Sequence, residues 1–291
     1  MRLVTFEHDG QVRIGALTEE GDVVDLSADP ELPHTMVDFV ASGDPALARA
    51  ATLVAHGRGV PGDQVRLLAP IRPRNNVMCI GKNYLEHAKE FAGSGFDASQ
   101  KQSVPTHPVV FTKAISSIIG PGDPIDVSAD ATQTTDYEGE LAVVVGRGGT
   151  RIPAEDAWDH VYGYTVVNDM TVRELQKRHV QFFLGKSAAT YCPMGPQIVT
   201  RDEVDDVTAL WVRTRVNGEE RQAAPVADLI FSIPTLMEAI STSVLLQPGD
   251  IIATGTPAGV GIGFDPPKYV APGDVIEVTV DRVDTLVNPA V

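Results

Sequence analysis

The apolar positions of this chain gather into short runs, and most have the length and β-branched content of strands. Residues 76–80, 108–112, 140–145, 161–167, 208–216, 250–254 and 274–280 read this way. Helical periodicity between them is sparse; its best instance is 232–240, with Pro234 near the helix start. This is not the regular strand–helix alternation of a doubly wound sheet. It predicts an α+β, mainly β architecture, a large mixed and mostly antiparallel β domain with a few helices packed on it. Upstream, 3–6, 12–17 and 23–26 form a meander turning at Asp9-Gly10 and Glu20-Gly21-Asp22. A helical pattern over 36–56, broken at Gly43-Asp44-Pro45, leads into a Gly/Pro-rich connector over 57–62. A domain boundary is placed near residue 65, dividing a small N-terminal β/α domain (1–65) from a larger domain (66–291).

Two carboxylates, Glu138 and Glu140, stand at the mouth of the buried-type run 140–145. Alternation along a strand sends both to the same side, where paired like charges at a core edge call for a cation. The run 161–167 ends in Asn168-Asp169 and brings a third carboxylate to a strand end. The pattern suggests a divalent metal site, against the alternative of a solvated sheet edge.

Other residues offer chemistry around it. Asn83 can cap a short helix, with Glu86 three residues later completing a capping box. On that helix His87 and Glu90 are at i, i+3, spaced for the carboxylate to orient an imidazole acting on water, or for an ordinary surface pair. Lys186 follows the apolar run 182–184 and can stabilise an oxyanion or simply snorkel. Lys113, after 109–112, poses the same question. Arg173, four residues beyond Asp169, can anchor a substrate carboxylate or pair on the surface. In 251–261 a strand enters a glycine-rich turn whose amides and Thr256 hydroxyl can hold an anion, or which is just a tight turn. The polar stretch 92–106 has the length of an active-site lid.

Composition narrows the partners. The 291 residues carry 23 Lys plus Arg against 39 Asp plus Glu, a formal charge of −16, which disfavours nucleic acid and anionic membrane surfaces. No stretch approaches a transmembrane span and no signal-peptide pattern opens the chain. Cys79 and Cys192 have no metal-type spacing, so a reducing, cytoplasmic setting is expected, with Cys79 a buried structural thiol.

The stretches 80–90, 111–124, 136–146, 163–186, 192–196 and 254–261, in this order, resemble the fumarylacetoacetate hydrolase family over about residues 70–291. The first 65 residues resemble the variable extra domain of its longer bacterial members. The resemblance implies a β-roll-like catalytic domain, a homodimer, and Mg²⁺ or Mn²⁺ held by Glu138, Glu140 and Asp169. It places the family's His/Glu dyad on His87 and Glu90 and its active-site lysine on Lys186. Lys113, Arg173, Gln176 and Thr256 match positions lining the substrate pocket. Departures at Asn168–Thr171, Phe182-Phe183 and Ala189-Thr190-Tyr191 bear on substrate identity rather than on the metal site.

The expected activity is metal-dependent hydrolysis of a C–C bond in a β-diketo acid such as an acylpyruvate or fumarylpyruvate, in the catabolism of aromatic or related acids. Small 2-oxo or 2,4-dioxo acids are then the substrates. The alternative uses the same site for an oxaloacetate-type decarboxylase, which needs no water, or for a 2-hydroxy-dienoate isomerase or hydratase. A non-enzymatic reading, a carboxylate-rich binding module with a structural metal, predicts a site closed by protein ligands.

Overall fold

A computed structural model describes residues 1–96, 104–128 and 130–291. The lid expected over 92–106 therefore falls in part on 97–103, outside the described residues. At its near end the helix Leu85–Gly93 is followed by Phe96, which packs with Phe91, Val260 and Ile262.

Among the described residues the β structure forms a large mixed sheet faced by a smaller one, and a separate two-stranded pair, Thr135–Asp136 with Thr171–Val172. The large sheet runs in the order Val23–Asp25, Gln11–Leu17, Arg2–His8, Cys192–Thr200, Val161–Asn168, Gly139–Val145, Ile251–Ala253, Val77–Gly81, Val109–Lys113. Ile251–Ala253 and Val77–Gly81 pair in parallel, whereas Gly139–Val145 is antiparallel to both its neighbours. The smaller antiparallel sheet, Glu219–Pro225, Trp211–Val216, Val275–Val280 and Asp284–Pro289, packs on one face. Leu141, Val143 and Val166 from one sheet and Val212, Val278 and Leu286 from the other share a single apolar core.

The strand runs expected from the sequence are present within a few residues, while three strands longer than two residues were not anticipated. Cys192–Thr200 contains Pro193, Gly195 and Pro196, which read as breakers, yet it lies between Arg2–His8 and Val161–Asn168 with a register shift on the latter side. Glu219–Pro225 is a sheet edge exposed along much of its length, so it lacks an apolar signature. Asp284–Pro289 is the opposite edge. The N-terminal meander extends the large sheet through Arg2↔Val199 and Leu3↔Ile198, and Arg66–Leu68 returns to pair with Thr5–Glu7. Leu3, Ile14 and Phe39 pack in the same cluster as Val77, Ala142 and Ile251.

Asn83 does not cap the helix that follows. Tyr84 takes that position without a side-chain bond, while Asn83 donates to the Phe231 and Thr254 carbonyls and accepts from the Phe231 N–H. Capping competes here with a buried amide that cross-links three loops, and the cross-link satisfies more of the amide's donors and acceptors.

Gly139, between the two glutamates, faces the second sheet. A Cβ there would lie 2.1 Å from Thr214 Oγ1 and 2.8 Å from Val278 Cγ1. Gly139→Ala is expected to destabilise the protein by about 1–3 kcal/mol through overpacking, lowering the melting temperature by roughly 2–10 °C. Thr214→Ala in the same chain should recover part of the loss; a Gly139→Ala protein melting like wild type would show that the sheets are not in contact there.

Candidate active site

The strand geometry delivers the three carboxylates together. Glu138 and Glu140 flank Gly139, and Asp169 follows the neighbouring strand Val161–Asn168. Asp169 N–H donates to the Glu138 carbonyl at 2.8 Å, and Glu138 N–H donates to Asn168 Oδ1 at 3.0 Å. This backbone lock places one carboxylate oxygen from each of Glu138, Glu140 and Asp169 within 4.8 Å of one another, all three residues buried.

Buried cations surround the cluster. Lys186 Nζ bridges Glu138 Oε2 (2.7 Å) and Asp169 Oδ2 (2.8 Å). Arg173, wholly buried, donates from Nη1 to Glu138 Oε1 (2.6 Å) and from Nε to Asp136 Oδ2 (2.9 Å). Its Nη2 also lies 2.9 Å from Asp136 Oδ2, so the Nε–Nη2 edge of the guanidinium is held against that carboxylate. Glu140 receives only the Gly255 N–H, at 2.8 Å on Oε2; among the described residues no cation reaches it. Burial pushes the Glu140 carboxyl up, and the charges of Asp169 and Glu138 push the same way. Burial opposes ionisation of Glu138 too, but Lys186 and Arg173 together overcome it and hold that group below the usual carboxylate range. Burial likewise works against the Lys186 ammonium, and Asp169 and Glu138 outweigh it, leaving its pKa raised.

These features fit a divalent cation. Three convergent oxygen donors, one lacking any cationic partner, match the ligand preference of Mg²⁺ or Mn²⁺ and leave coordination positions for a ligand.

The remaining residues are distributed unevenly. His87, Glu138, Arg173, Gln176, Lys186 and Thr256 line one pocket that opens to solvent, with Phe91, Phe111 and Phe182 as apolar wall. His87 is buried, and its Nδ1 lies 3.2 Å from Glu90 Oε2, which makes the pair more than a surface contact. Gln176 Oε1 accepts from Arg173 Nη1 at 3.2 Å. The Thr256 hydroxyl is engaged by the Gly139 carbonyl and by Gln222 Nε2, at 2.9 and 2.7 Å. Lys113 stands behind this wall. Its ammonium is fully buried and donates to Asp169 Oδ1 (2.6 Å), the Met170 carbonyl (3.0 Å) and the Lys186 carbonyl. Three donors meet three protein acceptors, so the group buttresses Asp169 and faces away from any substrate.

Sequence reasoning passed over Asp136, Gln222 and Lys82. Asp136 accepts from the Tyr137, Gly261 and Ile262 amides and from Arg173, and the signal lay in its place two residues before Glu138. Gln222 reaches from the second sheet to the Gly139 N–H, Thr256 and the Pro257 carbonyl. Lys82, at a positive φ of 58°, lies on the pocket wall with its ammonium 5.5 Å from the Phe91 ring centre. Both cysteines are buried; burial pushes the Cys192 thiol up to about 12, and neither is poised as a nucleophile.

A sequence profile described as fumarylacetoacetate (FAA) hydrolase C-terminal matches residues 76–291. Oxaloacetate tautomerase YisK of Bacillus subtilis is 45% identical over 306 residues, covering 99% of each chain. The structure of a fumarylacetoacetate hydrolase from Exiguobacterium antarcticum superposes with a TM-score of 0.82 at 40% identity, covering 100% of this chain and 99% of the other. A maleylpyruvate hydrolase from Sphingobium sp. SYK-6, solved with manganese(II) and pyruvate, gives 0.80 at 29% identity with 100% and 99% coverage.

Asp136→Ala should leave Arg173 buried beside a single carboxylate. A loss of about 3–5 kcal/mol is expected, as for other broken buried pairs, measured by urea denaturation. A loss below about 1 kcal/mol would mean that Arg173 finds water or another acceptor.

Proposed function

This chain belongs to the fumarylacetoacetate hydrolase family, and we propose that it is a metal-dependent enzyme interconverting the keto and enol forms of oxaloacetate or a closely similar 2-oxo diacid. Expected first from the sequence as C–C hydrolysis, the activity stands nearer to the alternative given there, an oxaloacetate-type decarboxylase or a 2-hydroxy-dienoate isomerase or hydratase on the same metal site, although keto–enol interconversion itself was not among those expectations. The observation that carries this reading is a three-carboxylate cluster with the buried cations Arg173 and Lys186 in one pocket. The carboxylates suit a divalent ion that takes a 2-oxo acid head, and the cations suit the remaining negative charge of a diacid. Near-complete coverage of an oxaloacetate tautomerase at 45% identity supports the same substrate class.

Glu138, Glu140 and Asp169 would hold Mg²⁺ or Mn²⁺, which supplies Lewis acidity that makes the carbon next to the 2-oxo group easier to deprotonate. Arg173, whose guanidinium lines the pocket, lends positive charge that favours the distal carboxylate of a diacid. Lys186, held charged by Glu138 and Asp169, offsets the negative charge that gathers on the 2-oxygen as the enolate forms. His87, its Nδ1 side set by Glu90, carries the proton to and from C3 through Nε2. The aromatic wall keeps bulk water from quenching these charges.

A second reading is favoured by the His87–Glu90 pair, which is equally suited to activating water for cleavage of a maleylpyruvate-like acid. Product analysis separates the two: oxaloacetate enol decay without loss of carbon supports tautomerisation, whereas pyruvate plus a second acid from a 2,4-dioxo acid supports hydrolysis.

With Mn²⁺ bound, His87→Gln is expected to slow enol-to-keto conversion by about 100-fold or more, followed by the ultraviolet absorbance of the enol, with Mn²⁺ affinity unchanged. Chelation should abolish turnover and added Mn²⁺ or Mg²⁺ restore it. Unaltered turnover in the His87→Gln protein would remove the imidazole from the mechanism. Glu140→Gln should weaken Mn²⁺ binding by at least about ten-fold, the lower bound for losing even a group that supports a ligand; titration calorimetry showing no change would remove Glu140 from the ligand set.

A further inference from the structure

We propose that the glycine-rich segment 255–263 is the positioning element of the reaction, and that Gly263 sets where His87 stands by way of Glu90. The proposal rests on the enolisation reading above and adds a residue whose role is exerted through another.

The segment's amides were expected to hold an anion, and the anions they hold are the protein's own. Gly255 N–H donates to Glu140 at 2.8 Å, Gly259 N–H to Glu90 Oε1 at 2.9 Å, and Gly261 and Ile262 N–H to Asp136 at 2.6 and 3.1 Å. These three carboxylates have different tasks. Glu140 is a metal ligand, Glu90 orients the imidazole, and Asp136 clamps Arg173. Nine residues of backbone thus set the spacing between the metal site, the proton-transfer group and the carboxylate anchor.

Gly263 is the sharpest point of this arrangement. An added Cβ would fall 1.9 Å from Glu90 Oε1, 2.4 Å from Cδ and 2.7 Å from Cγ, so the acid lies directly against the glycine. The nearest obstacles at Gly259 and Gly261 are backbone carbonyls, and Gly259 also has a positive φ of 101°. Gly263 has no left-handed φ, and the three atoms nearest to an added Cβ all belong to the Glu90 side chain. Alanine is therefore permitted by the backbone dihedrals and opposed first by Glu90. Its effect should pass along one route: Glu90 is displaced from the Gly259 amide and from His87 Nδ1, and the imidazole loses its fixed tautomer and orientation.

The test is Gly263→Ala, alone and combined with Glu90→Ala, with Mn²⁺ bound. Alone, it should lower kcat for oxaloacetate enol–keto conversion about 10- to 100-fold, the scale of a misplaced proton-transfer group. KM and Mn²⁺ affinity should stay within about three-fold of wild type, since Glu140 and Arg173 keep their partners. In the Glu90→Ala background the same substitution should cost less than about two-fold, because its target is gone. Independently of turnover, the imidazole ¹⁵N signals of His87, assigned by difference with His87→Gln, should move in Gly263→Ala as they do in Glu90→Ala. Additive kinetic losses, or unmoved His87 signals in Gly263→Ala, would overturn the proposal. Failure of the wild-type protein to convert oxaloacetate would overturn the functional reading alone, and the His87 signals would still decide this one. If Gly263→Ala does not fold, Gly263→Ala with Glu90→Asp should, since the shorter acid retreats from the clash; an unfolded double variant would count against Glu90 as the group the glycine accommodates.

Discussion

Everything in this molecule's centre depends on a charge imbalance that folding creates and burial makes expensive. Asp136, Glu138, Glu140 and Asp169 are buried together, facing the buried cations Lys113, Arg173 and Lys186. Four carboxylates face three cations, and the excess falls on Glu140, whose ionised form burial and the charges of Asp169 and Glu138 disfavour. A bound divalent ion would favour that ionised form and make the pocket attractive to an anionic acid. Metal and substrate would thereby be linked electrostatically, in a chain whose net charge of −16 would otherwise repel anions.

The part of the site that was legible in the sequence was the part written in strand periodicity. Glu138 and Glu140 converge because alternate strand positions share a face, and Asp169 because it follows the adjacent antiparallel strand. What could not be read is the direction of charged groups that follow apolar runs. Lys113 and Lys186 look alike along the chain, yet one reaches the pocket and the other is spent on Asp169 and two carbonyls behind it. Only the packing of the helix Phe183–Lys186 against the end of Val109–Lys113 decides which is which. Gln222 was invisible for a related reason, being a buried amide on an otherwise exposed, polar edge strand.

The fold shows the same division. Runs rich in β-branched residues declared themselves, whereas Cys192–Thr200 hid behind its prolines and Glu219–Pro225 behind its polarity. Asn83 followed a sound local rule and was claimed by tertiary contacts, since local capping offers one bond and three converging loops offer more. Glycines carried more information than their turn-forming reputation suggests. Gly139 and Gly263 are both places where a neighbouring side chain occupies the space a Cβ would need.

The bonds that join the glycine-rich segment to its carboxylates span great lengths of chain: 115 residues to Glu140, 125 to Asp136 and 169 to Glu90. Closing such loops carries an entropic penalty that is recovered only when the sheets are already in register. The site must therefore come together late in folding. A nascent or partly folded chain offers scattered acids, and the three-carboxylate cluster exists only with the completed β architecture.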